Sequence, residues 1–224
     1  MYECARGPLV WASLIIFNIG TDSQIFRFYI LSRRAGLSPH VPMQKPPKGE
    51  KEKRFSPGRL VKIIKKAGQT ILAVHPITIT VSTVFHICLV FIPLFLLGHN
   101  ELIELTFGFS LPSISEHASD VLTFIVLICC AFFLIRRIFS SRVRAITTFY
   151  DYLVLAIATI PFLSGFLAFH QIFDYRAVMI VHMLSGELML MAIPFTKLTH
   201  MIFFFLNRFL VINEHTLGKG SRAW

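Results

Sequence analysis

Five stretches of about twenty mostly apolar residues leave this chain one class of fold. They run from about Pro8 to Leu31 (span I), Ile71 to Gly98 (II), Val121 to Ile138 (III), Ala145 to Phe169 (IV) and Val178 to Phe205 (V). As α-helices, such stretches cross a hydrocarbon layer of about 30 Å, and a helix satisfies its own backbone polar groups where water is absent. Only 15% of the residues are charged, against about 25% in soluble domains, so a water-soluble fold could not hide this much apolar surface. The expectation is an all-α integral membrane five-helix bundle, residues 1–224 forming a single membrane domain without an internal repeat. Span I is the weakest, because Gly20-Thr21-Asp22-Ser23-Gln24 interrupts it.

The formal charge of +10 invites a nucleic-acid reading. The distribution of the charge argues against it. Eleven Lys or Arg residues fall between Ser32 and Lys66. Within the basic loop 32–68, Pro39–Pro57 reads as extended and Gly58–Gly68 as a short amphipathic surface helix. Arg136, Arg137, Arg142 and Arg144 join spans III and IV, and Arg208, Lys219 and Arg222 sit in the C-terminal tail. The II–III loop, His99 to Asp120, has no Lys or Arg and four acids, Glu101, Glu104, Glu116 and Asp120. The IV–V turn holds Arg176 beside Asp174. Basic loops stay in the cytoplasm, so the expected orientation puts the N-terminus in the periplasm and the C-terminus in the cytoplasm of a bacterial inner membrane. No cleavable signal peptide is expected, since the first apolar stretch lacks a basic n-region.

None of the four cysteines, Cys4, Cys88, Cys129 and Cys130, forms a CxxC or CxxCH. That argues against a thiolate zinc site, an iron–sulfur cluster or a covalently attached haem. Cys129 and Cys130 read as small lipid- or core-facing residues. The nine histidines are more informative. His40, His117 and His215 fall outside the expected bilayer, while His75, His86, His99, His170, His182 and His200 lie in or at the ends of spans. Ionisable residues there are costly and usually functional. His182 and His200 are 18 residues apart, five full turns, which puts them on one face about 27 Å apart in a continuous helix. His86 and His99, 13 residues apart, span about 20 Å. Spans II and V run antiparallel, so His86 pairs with His200 and His99 with His182, each pair able to clamp a haem iron. Thirteen residues leave about 220° between His86 and His99 in an ideal helix, and Pro93 between them can redirect the second half. The pair His75/His86 is nearly in phase and stays open as the alternative.

Other residues carry two readings. Arg136, Arg137, Arg142 and Arg144 anchor the inner face, and the same side chains can hold haem propionates or dock an acidic subunit. Lys197, three residues before His200, can reach a propionate or snorkel to the interface. Asp151 reads as a helix N-terminal charge or the partner of an arginine. Glu187, inside span V, is a proton relay or a hydrogen bond to a neighbouring helix, and Gly186 beside it admits a close approach. His170, with Gln171 and Asp174, ends span IV, where a quinone ring or a further haem could be met. The acidic outer loop suits a lysine-rich cytochrome c, or simply obeys topology.

The stretches Phe85-His86-Ile87 through Gly98-His99, the run Arg136 to Thr148, and His182 followed by Ile193-Pro194-Phe195-Thr196-Lys197-Leu198-Thr199-His200 carry a resemblance. The chain resembles the gamma subunit of respiratory nitrate reductase, a five-helix di-haem cytochrome b, with a wider histidine spacing in span II. It resembles more closely the cytochrome b membrane subunits of transmembrane redox complexes of sulfate reducers. Phe91 to His99 and Gly165 to Gln171 look like the tetrahaem cytochrome c3-linked type. The resemblance implies two haem b groups on His86, His99, His182 and His200, and propionate contacts from Arg136, Arg142, Arg144 and Lys197. It also implies menaquinone as a further ligand. Electrons would pass between a quinone or periplasmic multihaem cytochrome c and a cytoplasmic iron–sulfur subunit of the heterodisulfide reductase-like kind. His75, His170 and Gln171 are the candidates for a quinone or third-haem site. A histidine-lined proton or ion transporter subunit, and a cofactor-free membrane anchor, are the rival classes.

Overall fold

The hydrophobic spans fold as helices in the computed structural model, which describes residues 7–34 and 75–204. The elements are α1 (Pro8–Arg34), α2 (Pro76–Phe95), α3 (Leu97–Phe107), α4 (Glu116–Phe139), α5 (Ser141–Arg144), α6 (Phe149–Phe169), α7 (Tyr175–Ala192) and a 3-10 turn at Lys197–Thr199. Among the described residues there is no strand. Five of these helices, α1, α2, α4, α6 and α7, are long and apolar enough to cross a bilayer. Between 11% and 28% of each span is buried inside the protein, so most of their apolar surface is left for lipid. The basic segment 35–68 with its amphipathic piece, residues 71–74, Cys4, His40 and the tail carrying Arg208, His215, Lys219 and Arg222 lie outside the described residues.

The helix boundaries depart from the sequence reading where local chemistry intervenes. Span II is not continuous to Gly98. Pro93 lies inside α2, and the helix ends two residues later at Phe95. Leu96 is extended (φ −70°, ψ 131°) and α3 starts afresh, so the angle counted along one ideal helix does not apply to His86 and His99. The acidic II–III connection is itself partly helical, as α3, closed by Gly108 in the left-handed region at φ 76°. Here glycine is the residue that adopts the conformation freely. The buried Asn100 then pins the following loop. Its Oδ1 accepts from Leu111 N at 3.3 Å and its Nδ2 donates to Ser113 Oγ at 3.2 Å. Helix α4 begins five residues before Val121, because Ser115 caps it by accepting from Ala118 N. Helix α6 starts at Phe149, four residues after Ala145, since a turn follows α5 and residues 147–148 are not helical.

Span V is also interrupted. Helix α7 ends at Ala192, and Pro194 and the 3-10 turn follow before the chain is helical again from 200. The five-turn count between His182 and His200 therefore does not describe the molecule. Side chains bond to the carbonyls around this break. Thr196 Oγ1 donates to Ala192 O at 2.7 Å, Thr199 Oγ1 to Ile193 O at 2.8 Å, and Gln24 Nε2 to Pro194 O at 2.9 Å.

The helices form two compact units. One comprises α2 to α5. There α2 packs on α4 through Phe85 and Phe133, whose rings meet edge to face at 5.4 Å, over buried Cys88, Leu89, Ile92, Val126, Cys129 and Cys130. The cysteines are small core residues and free thiols. The other unit comprises α1, α6, α7 and the chain after α7. Helices α6 and α7 run antiparallel through a tight turn that Asp174 caps by accepting from Ala177 N at 2.8 Å. Helix α1 runs parallel to α7, with Gly20 and Gln24 meeting Pro194 and Phe28 meeting Phe203 further along.

The polar stretch Gly20–Gln24 does not interrupt α1. It is the contact with the chain beyond α7. A Cβ on Gly20 would lie 2.7 Å from Pro194 Cγ and 2.9 Å from Phe195 Cζ, closer than atoms pack. Gly20→Val is expected to destabilise the protein by roughly 1–3 kcal/mol through overpacking. Gly98→Ala, whose added carbon meets nothing within 4 Å, is expected to be neutral or slightly stabilising. Unfolding of both variants in detergent micelles measures the difference.

Candidate functional site

Four histidines, His86 and His182 within spans and His99 and His200 just beyond them, share one arrangement. Each places Nδ1 against a main-chain carbonyl. His86 Nδ1 lies 2.6 Å from Ser82 O, one turn back in α2, with Ser82 Oγ at 3.4 Å. His99 Nδ1 lies 2.9 Å from Pro93 O, across the break between α2 and α3. His182 Nδ1 lies 2.9 Å from Pro161 O on the neighbouring helix α6. His200 Nδ1 lies 2.6 Å from Lys197 O in the 3-10 turn. A carbonyl oxygen only accepts, so each Nδ1 carries the hydrogen. In the neutral ring the other nitrogen, Nε2, then presents its lone pair. This is how a protein orients an imidazole for a metal, fixing the tautomer and raising ligand basicity.

The acceptors are available for local reasons. Pro93 O belongs to the last turn of α2, where carbonyls lack partners within the helix. Lys197 O sits in a 3-10 turn with poorer regular bonding. Pro161 is inside α6, buried among Phe162 and Ser164. Gly165, one turn on, lets the His182 ring lie against α6. A Cβ there would be 3.0 Å from His182 Cε1 and 3.2 Å from Nδ1. His86, His99 and His182 are half-buried and His200 is exposed. The His86 ring also lies edge-on to Phe85, centroids 5.2 Å apart.

The remaining sequence candidates are placed differently. His75 is exposed at the N-cap of α2 and makes no side-chain capping bond. His170 is exposed just after α6, its ring 4.3 Å from Phe166 and 5.3 Å from Phe169. Gln171 beside it is left-handed at φ 51°. Lys197 Nζ lies 2.6 Å from Asp151 Oδ1 and over the Tyr150 ring, and Asp151 stands in the first turn of α6, as its reading as a helix N-terminal charge has it. Arg136 and Arg137 occupy the last turn of α4, and Arg142 and Arg144 the single turn α5. There they complement the negative helix end. The structure thus collects Lys197, Asp151 and His200 in one unit, and the four arginines in the other with His86 and His99.

Sequence reasoning passed over Pro161, Ser164, Gly165 and Asn100. The signal was present in the Ser164-Gly165 pair. Two small residues inside an otherwise bulky span mark a close approach.

The described residues define an all-α protein with five helices long and apolar enough to cross a membrane, and with several imidazoles oriented by main-chain carbonyls. The chain is similar to a protein of Nitratidesulfovibrio vulgaris (strain Hildenborough) named only "Protein", with 33% identity over 226 residues, 99% of this chain and 96% of the relative. Identity of that level over both full lengths shows common descent, and the chain belongs to the family of that Nitratidesulfovibrio vulgaris protein. No family model matches the chain, and no solved structure does.

The ring arrangement has a direct spectroscopic consequence. In 15N-histidine spectra of the cofactor-free protein, His86, His99, His182 and His200, assigned by single His→Gln variants, are expected to carry a hydrogen on Nδ1. Gly165→Val is expected to shift the His182 signal alone. Rings with Nδ1 unprotonated would contradict the geometry.

Proposed function

We propose that this protein is the di-haem cytochrome b membrane subunit of a bacterial respiratory redox complex. It carries electrons across the inner membrane between a quinone or a periplasmic multihaem cytochrome c and a cytoplasmic iron–sulfur subunit. The observation that supports this reading is the shared ring geometry: His86, His99, His182 and His200 each direct Nδ1 to a main-chain carbonyl, the orientation that suits an imidazole ligand. These donors fit haem b, which binds through neutral imidazole. His86, His99, His182 and His200 would be its axial ligands. The haem supplies the one-electron chemistry, and the chain supplies ligands, orientation and a low-dielectric surround.

Helix α4 supports the orientation. Glu116 and Asp120 stand in its first turns and Arg136 and Arg137 in its last, so its ends, about 36 Å apart, carry opposite charge. With the basic end in the cytoplasm, the N-terminus is periplasmic. The arginines of α4 and α5 then lie where propionates and an acidic subunit would be met. His170 and Gln171, exposed beside two phenylalanine rings, are the place for a quinone head group.

A pyridine haemochrome assay on the purified, haem-replete chain is expected to find two b haems per copy. His182→Ala is expected to lose one of the two, and Gly165→Val to alter the spectrum of that same haem while Gly98→Ala leaves both. A folded, haem-replete preparation without b haem would discard this reading in favour of a histidine-lined proton path or a cofactor-free anchor.

A further inference from the structure

The proposed electron path leaves one buried ionisable group unused. Glu187 lies in the middle of α7, 6% exposed, and its Oε1 has no hydrogen-bond partner among the described residues. It is five residues from His182, about 140° further round the helix, and so off the ligand face.

The surroundings of Glu187 follow from the contacts of α7, which packs on α6 and α1. His182 meets Pro161 and Gly165 while Lys197 meets Asp151. In this antiparallel pair Glu187 is therefore level with about residues 156–160 of α6, at about 1.5 Å per residue. Gly20 and Gln24 meet Pro194, so in the parallel pair Glu187 is level with about residues 13–17 of α1. Helix α6 has no titratable or charged residue from Leu153 to Phe169, and α1 has none from Pro8 to Thr21. The groups these helices do carry lie beyond: Tyr150, Asp151 and Tyr152 on α6, and Asp22, Arg27, Tyr29, Arg33 and Arg34 on α1. On α7 itself there are Tyr175, Arg176 and His182. Among the described residues of these three helices, no countercharge stands level with Glu187.

A carboxyl group so placed is expensive unless used. A second buried polar atom without a partner among the described residues, Thr21 Oγ1, lies on α1. It is level with Pro194, about 10 Å along the same seam. Beside Glu187, a Cβ on Gly186 would meet nothing within 4 Å, so the helix surface is open there.

We propose that Glu187 is a proton-exchange site inside the membrane that compensates the charge of an arriving electron, with the Thr21 hydroxyl on the polar thread that leads to it. The proposal rests on the di-haem reading. As one electron from the quinol or c-type cytochrome enters the span, Glu187 accepts one proton from water: an O–H bond forms at the carboxylate and one breaks in water, leaving hydroxide in the aqueous phase. When the electron leaves, the proton returns. Proton uptake favours the reduced state at low pH, so the midpoint potential must fall as pH rises.

The test compares haem-loaded wild type, Glu187→Gln and Glu187→Asp in lipid nanodiscs, by reduced-minus-oxidised infrared difference spectra and by redox titration at several pH values. The wild type is expected to show a protonated-carboxyl band that appears on reduction, together with a pH-dependent potential. Glu187→Gln is expected to keep its haem and lose the band and most of the pH dependence, while Glu187→Asp keeps a shifted band. An unchanged band and pH dependence in Glu187→Gln overturn the proposal and leave the di-haem reading intact. If Glu187→Gln does not fold, an unshifted band in Glu187→Asp overturns it equally. A wild type without haem overturns both.

Discussion

Lipid offers no hydrogen bonds, so every backbone carbonyl that leaves a helical ladder must find a partner inside the protein. Much of this structure follows from that demand. The spans are broken at Leu96 and after Ala192, and each break releases carbonyls in a region with little water. Thr199 and Gln24 bond to Ile193 O and Pro194 O beyond α7, and Thr196 adds a bond to Ala192 O. His99 meets Pro93 O at the first break, and His200 meets Lys197 O in the turn after the second. The histidines are thus held by the irregularities of the backbone, and the irregularities are tolerated because side chains satisfy them.

The same bonds make the imidazoles chemically useful. A ring whose Nδ1–H is engaged has a defined orientation and plane. His182 shows how much packing is needed to achieve this. Its partner carbonyl is on another helix, and Gly165 must lack a side chain for the ring to approach. His86 needs less, since Ser82 O is one turn back on its own helix.

Close helix contacts carry the packing in both units, because lipid tails compete with any apolar side chain and only tight approach is rewarded. Gly20 against Pro194, Gly165 against His182, and Cys129 and Cys130 beneath α2 are such contacts. Large side chains are left outward: Phe139, Phe149 and Ile146 are 78%, 83% and 81% exposed, as suits residues meeting acyl chains or the interface. The pair of Lys197 and Asp151 shows a different economy near the helix ends. Each partly covers the other's charge, and the stem of Lys197 crosses Tyr150.

The sequence by itself determined the class of fold, because the length of an apolar run must match the thickness of the hydrocarbon layer. It also singled out His86, His99, His182 and His200, since an ionisable residue inside such a run demands an explanation. Counting turns along ideal helices misjudged their geometry. Pro93 and Pro194 end the ladder at places that depend on which carbonyls find other partners, and those partners, Gln24 for one, come from distant segments. Helix α3 was hidden because its acids read as a loop, although Gly108 marked its end. Gly20–Gln24 read as a flaw in span I because polarity is visible in a sequence while its partner is not. Only the tertiary structure decided that this stretch is a contact, that Gly165 makes room for His182, and that among the described residues of α1, α6 and α7 no countercharge stands level with Glu187. Each is a relation between residues far apart in the chain, and side-chain packing alone brings them together.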